Sequence, residues 1–379
     1  MKVVVAIDSF KGSLSSHQAS LAIKEGIQKV NPNIEVVTSV VADGGEGTVD
    51  ALIEGMNGTK IEVEVHDPLF RKHITYYGVI NKTAIMEMAS SSGLTLLSEK
   101  ERNPLLTSTY GVGEMIMDAV NRGYRHFIIG IGGSATNDGG TGMLKAIGYR
   151  FLDQNNQEIR LGSKNLSDIH KIDDHLVDPR IKECKFEIAC DVKNPLCGKF
   201  GASVIYGPQK GANDLMIKQM DEGLHHFALK TKEYNQTDYM NVEGTGAAGG
   251  LGFAFLSYLS AKLVSGIDLI LSFIHLEDEL CDASLVFTGE GCIDAQTLMN
   301  KTPMGVARLA KKHGCKVIAL AGQIQDDAYV LNEHGIDAMF SIVPGVITLN
   351  EAMDTNNAYQ YLKNTTMQIM RLENIKWKL

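Results

Sequence analysis

VVVAIDSFKGS, residues 3–13, is the stretch that decides the fold. Its first five residues are apolar, mostly β-branched and not interleaved with polar ones, so both faces of the segment must be covered. Asp8 ends the run, and a polar turn containing Gly12 follows. Residues 16–30 then place Ala19, Ala22, Ile23 and Ile27 at helical spacing. A fully buried strand, a turn and an amphipathic helix, in that order, open a parallel α/β sheet.

Working outward, a second strand is expected over residues 34–42, ending at Asp43, where a glycine loop leads into a helix. The pattern then changes. Residues 74–80 and 83–88 flank Asn81-Lys82 and predict an antiparallel hairpin. Further strands are expected at 126–131, 186–189, 285–288, 317–321 and 339–343. The last three alternate with helices, including 305–313 and 350–370, much as the N-terminus does. The fold class is therefore α/β with two domains. One is a parallel-sheet domain built from both chain ends (1–66 and 284–379), and the other is an inserted mixed α/β domain (67–283).

The chain has 379 residues, with 36 Lys plus Arg against 45 Asp plus Glu, a formal charge of −9. That balance disfavours a nucleic-acid or anionic-membrane partner. Six cysteines without a C-x-x-C pair form neither a disulfide framework nor a zinc-finger spacing. The N-terminal apolar run is too short for a signal-peptide core, and no long uninterrupted apolar window exists, so a cytoplasmic location is expected. Glycine is the anomaly. There are 38 Gly but only 8 Pro, whereas a linker-rich chain would raise both. Excess Gly alone marks backbone that needs positive φ or close approach.

Nearly half of those glycines fall in five segments: DSFKGS (8–13), DGGEGT (43–48), GIGGSATNDGGTG (130–142), GTGAAGGLG (244–252) and TGEG (288–291). In a doubly wound sheet, ligands sit beyond the carboxyl ends of the strands. Asp8, Lys11, Asp43, Glu46, Glu290 and Asp294 all follow expected strands, as do Gly322 and Gln323. Ordinary turn chemistry accounts for any one such segment; several on one rim point to a site. The 130–142 segment, between a strand and a helix, offers backbone N–H groups and hydroxyls suited to phosphate oxygens. ACDVKNPLCG (189–198) follows another strand and offers Asp191 and Lys193 at i, i+2. The 244–252 segment is either a second anion site or a close-packing turn, and Lys301 is a further candidate phosphate contact. Gly130, Gly132 and Ala135, with Asp153 beyond, also fit a dinucleotide fingerprint, but Gly244, Gly246 and Gly249 fit it equally well. A P-loop sequence is absent.

DSFKGSLS, ADGGEGT, NPLLTSTYGVGE, GIGGSATNDGG, ACDVKNPLCG, YGPQKGA, GAAGGLG and TGEGCIDAQT occur in the order seen in the bacterial glycerate kinase family (type 1), which the chain resembles over residues 1–325. The resemblance implies ATP-dependent phosphorylation of D-glycerate with Mg²⁺, on a discontinuous Rossmann- or flavodoxin-like domain carrying an inserted one. The 2-phosphoglycerate product is favoured over 3-phosphoglycerate. Three positions depart from the pattern. Cys292 stands where Arg is usual, Phe70 where Gly is common, and Asn300 where Gly is common. Phosphoryl transfer needs positioning and charge neutralisation more than covalent chemistry. Asp191 is accordingly expected as the base, with Lys11 and Lys193 neutralising charge. Asp8, Asp43, Glu46, Glu290 and Asp294 are candidates for substrate or metal contacts, and Gly132, Gly133, Ser134, Thr136, Asn137 and Asp138 for nucleotide phosphates. Two domains also suggest closure on substrate. The expected partners are D-glycerate and ATP, with no nucleic acid or membrane, and a homodimer is compatible. The rival functions are an NAD(P)-dependent oxidoreductase of a small hydroxy acid using the 130–135 loop with Asp153, and a non-catalytic sensor lacking the carboxylates.

Overall fold

The computed structural model describes residues 1–299 and 301–374, so Asn300 lies outside the described residues. In chain order the strands are β1 (Lys2–Ile7), β2 (Glu35–Val40), β3 (Thr59–His66), β4 (Lys72–Ile80), β5 (Thr83–Glu87), β6 (His126–Gly130), β7 (Arg150–Leu152), β8 (Lys171–Asp173), β9 (Lys185–Ala189), β10 (Lys262–Val264), β11 (Leu285–Ile293), β12 (Lys316–Ile324) and β13 (Ala338–Ser341). The chain divides into two compact units. Unit 1 comprises Met1–Asp43, Asp50–Asn57 and the chain from Ile267 onward; unit 2 comprises Gly44–Val49 and Gly58–Gly266.

Unit 1 holds one all-parallel sheet, ordered β13-β12-β11-β1-β2. The apolar run of β1 explains its central place. Successive side chains point to opposite faces, so Val3, Val5 and Ile7 enter one core while Val4 and Ala6 enter another. The first core is closed by the helices Ser16–Val30 and Thr355–Glu373, through Ala22, Ile23, Leu362 and Ile369. The second is closed by Ile267, Leu271, Leu276 and Leu280 and by the helix Thr302–Lys312. Ser15 caps the helix Ser16–Val30 through a capping box with Gln18, which fixes where the helix begins.

Unit 2 holds a six-stranded mixed sheet, ordered β10-β9-β6-β5-β4-β3. Strands β10, β9, β6 and β5 run parallel, and β5, β4 and β3 antiparallel. The hairpin turn at Asn81 has φ +54, a conformation Asn tolerates. A separate antiparallel pair, β7 with β8, lies outside this sheet.

Four expectations need correction. The bound at residue 66 puts Thr59–His66 in the N-terminal domain, but these eight residues form β3 and pair with β4, so they belong to unit 2. The bound at residue 283 puts residues 267–283 in the insert, but Ile267, Leu271, Leu276 and Leu280 are buried in a unit 1 core. TGEG does not follow a strand. β11 stays paired with β12 as far as Ile293–Ile324, so Glu290 projects from the strand itself. The single helix expected over 350–370 is two, Leu349–Met353 and Thr355–Glu373, because Asp354 leaves helical geometry and caps the second. Among the described residues, no helix is long and apolar enough to cross a membrane.

Candidate active site

In unit 1 the chain moves outward from β1 in both directions, to β2 on one side and to β11, β12 and β13 on the other. The β1/β11 boundary is thus the switch point of the sheet, where ligands of doubly wound folds bind. Asp8 follows β1 there. Its Oδ2 accepts a hydrogen bond from Thr302 Oγ1 at 2.7 Å and its Oδ1 one from Ser9 N at 2.6 Å. Burial pushes the Asp8 carboxyl up to about 6; the Thr302 bond opposes the shift and the Asp43 charge adds to it. Across the boundary, Glu290 Oε1 accepts from Thr297 Oγ1 at 2.8 Å. Burial lifts the Glu290 carboxyl to about 7, against the Thr297 bond and the Lys301 charge. Lys301 Nζ lies 3.7 Å from Glu290 Oε2 and 3.6 Å from Asp294 Oδ1.

Asp8, Lys11, Asp43, Glu290, Asp294 and Lys301 all line one pocket of about 1110 Å³ on this edge. Two half-buried carboxyls with raised pKa values at a switch point cost stability, which is how functional sites differ from turns. The structure therefore brings together five of the expected residues, with Lys301 beside them. Cys292 lines the same pocket, so positive charge there comes from Lys11 and Lys301 rather than from an arginine at 292.

In unit 2 the loops after β6, β9 and β10 share the carboxyl edge of the parallel strands. Asp191 follows β9, is exposed, and its Oδ1 accepts from Gly266 N at 2.9 Å. Lys193 is exposed and lies 3.6 Å from Glu243. Glu46 is exposed on the Gly44–Val49 segment, which packs on this edge: a Cβ on Gly44 would stand 2.8 Å from Ala189 Cβ and 3.0 Å from Gly266 Cα. Glu87 holds the segment by accepting from Val49 N at 2.8 Å and Gly47 N at 3.3 Å.

The 132–138 segment splits in two. Gly132 and Gly133 are exposed, while Ser134 is 8% exposed and Thr136, Asn137 and Asp138 are 0% exposed. Asp138 accepts from Thr109 N and Oγ1 at 2.9 Å, Gly140 N at 3.1 Å and Gly142 N at 3.2 Å. Burial pushes its pKa up while these donors oppose. Thr136, Asn137 and Asp138 therefore build the loop from inside, and the part a ligand can meet is Gly132 to Ser134. The sequence did not single out Lys210, which is 1% exposed. Its Nζ donates to Ser134 Oγ at 2.8 Å and Thr136 O at 2.6 Å, and burial brings its pKa down to about 7. Only the YGPQKGA motif pointed at it; no periodicity marks a lysine for complete burial.

The 244–252 segment is the close-packing turn. A Cβ on Gly249 (φ +65) would lie 2.1 Å from Thr136 O, and Gly139 N donates to Gly249 O at 2.9 Å. A dinucleotide site at 130–135 fails for a related reason. Asp153 sits after β7, outside the six-stranded sheet, and its Oδ1 accepts from Asn155 N and Gln157 N of its own turn.

The sequence pattern of the glycerate kinase family matches residues 3–374. The chain belongs to the glycerate kinase family. It is 46% identical to a glycerate 2-kinase of Escherichia coli strain K12 over 93% of both chains. It is also 45% identical to a glycerate kinase of Halalkalibacterium halodurans over 94% of both. The crystal structure of a candidate glycerate kinase 2 from Salmonella typhimurium LT2 superposes with a TM-score of 0.90 at 41% identity, covering 98% of each chain. Membership makes the chain a phosphotransferase with ATP as a substrate, and nothing in these matches supports an oxidoreductase. Phe70 has φ +63, the left-handed conformation that glycine favours, and its ring stacks on His66 at 4.0 Å.

Proposed function

We propose that this chain transfers the γ-phosphoryl group of ATP to the 2-hydroxyl of D-glycerate. The observation that carries the reading is the pair of raised carboxyls, Asp8 and Glu290, at the switch point of a chain in this family. The 2-position is favoured because the Escherichia coli relative is a glycerate 2-kinase.

Asp191 serves as general base, accepting the proton of the attacking hydroxyl, with the Gly266 N–H fixing its carboxylate. The exposed Gly132-Gly133 turn and Ser134 Oγ bind phosphate oxygens, and Thr136, Asn137 and Asp138 contribute by holding that turn in shape. Lys11 and Lys193 neutralise charge. Glu46 and Asp43 orient substrate.

A magnesium ion fits the carboxylates of unit 1. Asp294 Oδ1 is buried without a hydrogen-bond partner, and the Asp8 and Asp294 charges add to the upward shift of the Glu290 carboxyl. Among the described residues no group of three or more His, Cys, Asp or Glu forms a protein cage for a metal. That suits an ion shared with a triphosphate, since Mg²⁺ usually takes one or two carboxylates plus phosphate oxygens and water. One or two of Asp8, Glu290 and Asp294 would hold it, and when bound it would supply positive charge for the transferring group.

Incubation with ATP, Mg²⁺ and D-glycerate, followed by phosphorus NMR, tests the reading. The expected product is 2-phosphoglycerate. Formation of 3-phosphoglycerate overturns the position, and no consumption of ATP overturns the function.

A further inference from the structure

We propose that the half of the unit 1 pocket over β12 and β13 binds the base of the purine nucleotide that donates the phosphoryl group, an assignment that rests on the kinase function above. The pocket measures about 1110 Å³. Small-molecule sites run from roughly 300 to 1,000 Å³, so a three-carbon acid would leave most of it empty.

Strand order divides the pocket chemically. Over β11, β1 and β2 stand the charged groups Asp8, Asp43, Glu290, Asp294, Lys11 and Lys301. Over β12 and β13, the wall contributed by residues 322–358 contains no charged side chain. It is built by Ile324, Tyr329, Phe340, Ile342, Leu349 and Met353. A nucleotide has the same division, a flat weakly polar base at one end and a polyanion at the other. With Mg²⁺ held there by the carboxylates, part of its polyphosphate belongs at the switch point, which leaves its base over the outer strands.

The wall is preformed. Thr348 and Glu351 form a capping box that starts the helix Leu349–Met353, and Thr355 Oγ1 donates to Ser13 O at 2.9 Å, tying this segment to the loop after β1. Yet Tyr329 is 64% exposed and Leu349 72% exposed. Large side chains with open apolar faces on an ordered wall, continuous with carboxylates and lysines suited to Mg²⁺-bound polyphosphate, suit a stacking ligand.

Tyr329→Ala and Leu349→Ser test the assignment, because both residues are exposed and neither substitution opens a core. Calorimetric titration with ATP and Mg²⁺ would be compared with titration by inorganic tripolyphosphate, which has no base. Both variants should weaken ATP by about tenfold or more while tripolyphosphate stays within about twofold. Unchanged ATP affinity in both variants overturns the assignment, as does a wild type that binds no ATP. If light scattering shows a wild-type dimer that the variants dissolve, with ATP affinity unchanged, the wall is instead a contact between copies. A wild type that binds ATP but phosphorylates no glycerate refutes the kinase function, and the same titrations still decide the pocket.

Discussion

Lys210 and Asp138 illustrate how single buried charges shape a loop that neither one reaches as a ligand contact. The ammonium of Lys210 satisfies Ser134 Oγ and Thr136 O from inside unit 2, and desolvation lowers its pKa from 10.5 to about 7 although the Asp138 charge opposes the shift. Between those two values the unfolded chain carries a proton that the folded chain has shed, so stability rises with pH across that window. Below pH 7 both states are protonated and the full cost of the buried ammonium is present. The urea midpoint of the wild type should therefore increase from pH 6 to pH 9 relative to that of Lys210→Met. A wild-type-minus-variant difference that does not move with pH would refute the assignment. Asp191 makes a different demand. Asp191→Asn keeps the shape of the side chain and removes the base, so kcat should fall by about 10²–10⁴ with KM for ATP little changed. Near-normal kcat in steady-state assays sinks the role.

At the scale of elements, the glycine-rich segments prove to be of two kinds. Gly249 lets the start of the helix Ala247–Leu259 press against the backbone of Thr136, and its φ of +65 lies in the left-handed region. Gly132 meets nothing within 4 Å of an added Cβ. Gly249→Ala should therefore destabilise the fold by about 2–3 kcal/mol or more, through both overpacking and backbone strain. Gly132→Ala should fold normally and raise KM for ATP if the turn binds phosphate. Equal urea midpoints for the two variants would show that the distinction is wrong. The glycine excess thus marks close approach of backbone to backbone as much as it marks a ligand site.

The chain comprises one discontinuous unit and one nearly continuous unit inserted in its sequence. Unit 2 has its own core, from Val65 to Leu263, and a fragment spanning residues 44–266 contains all of its strands. Such a fragment should unfold cooperatively in urea when followed by circular dichroism. A fragment of residues 1–66 should stay unfolded, because β1 is flanked by β11 from the far end of the chain. A non-cooperative transition for 44–266 would contradict this.

The sequence by itself determined the parallel sheet drawn from both chain ends, the hairpin at Asn81, and the strand-end carboxylates Asp8, Asp43 and Asp294. Each of these is written in local pattern: an apolar run, a period of two or of 3.6, a turn residue after a strand. The family motifs carried the chemistry on the same local terms. Tertiary structure decided the rest. Residues 59–66 fall inside the expected N-terminal domain but take their unit from the partner β4; TGEG reads as a turn but stays in β11 because β12 continues beside it. Thr136, Asn137 and Asp138 read as ligand groups, yet donors from Thr109, Gly140 and Gly142 and the backbone of Gly249 enclose the loop. Lys210 carries no local signal of burial, yet it is only 1% exposed behind that loop. Pairing, burial and pKa depend on which distant residues arrive on the other side of a group, and no local pattern encodes that.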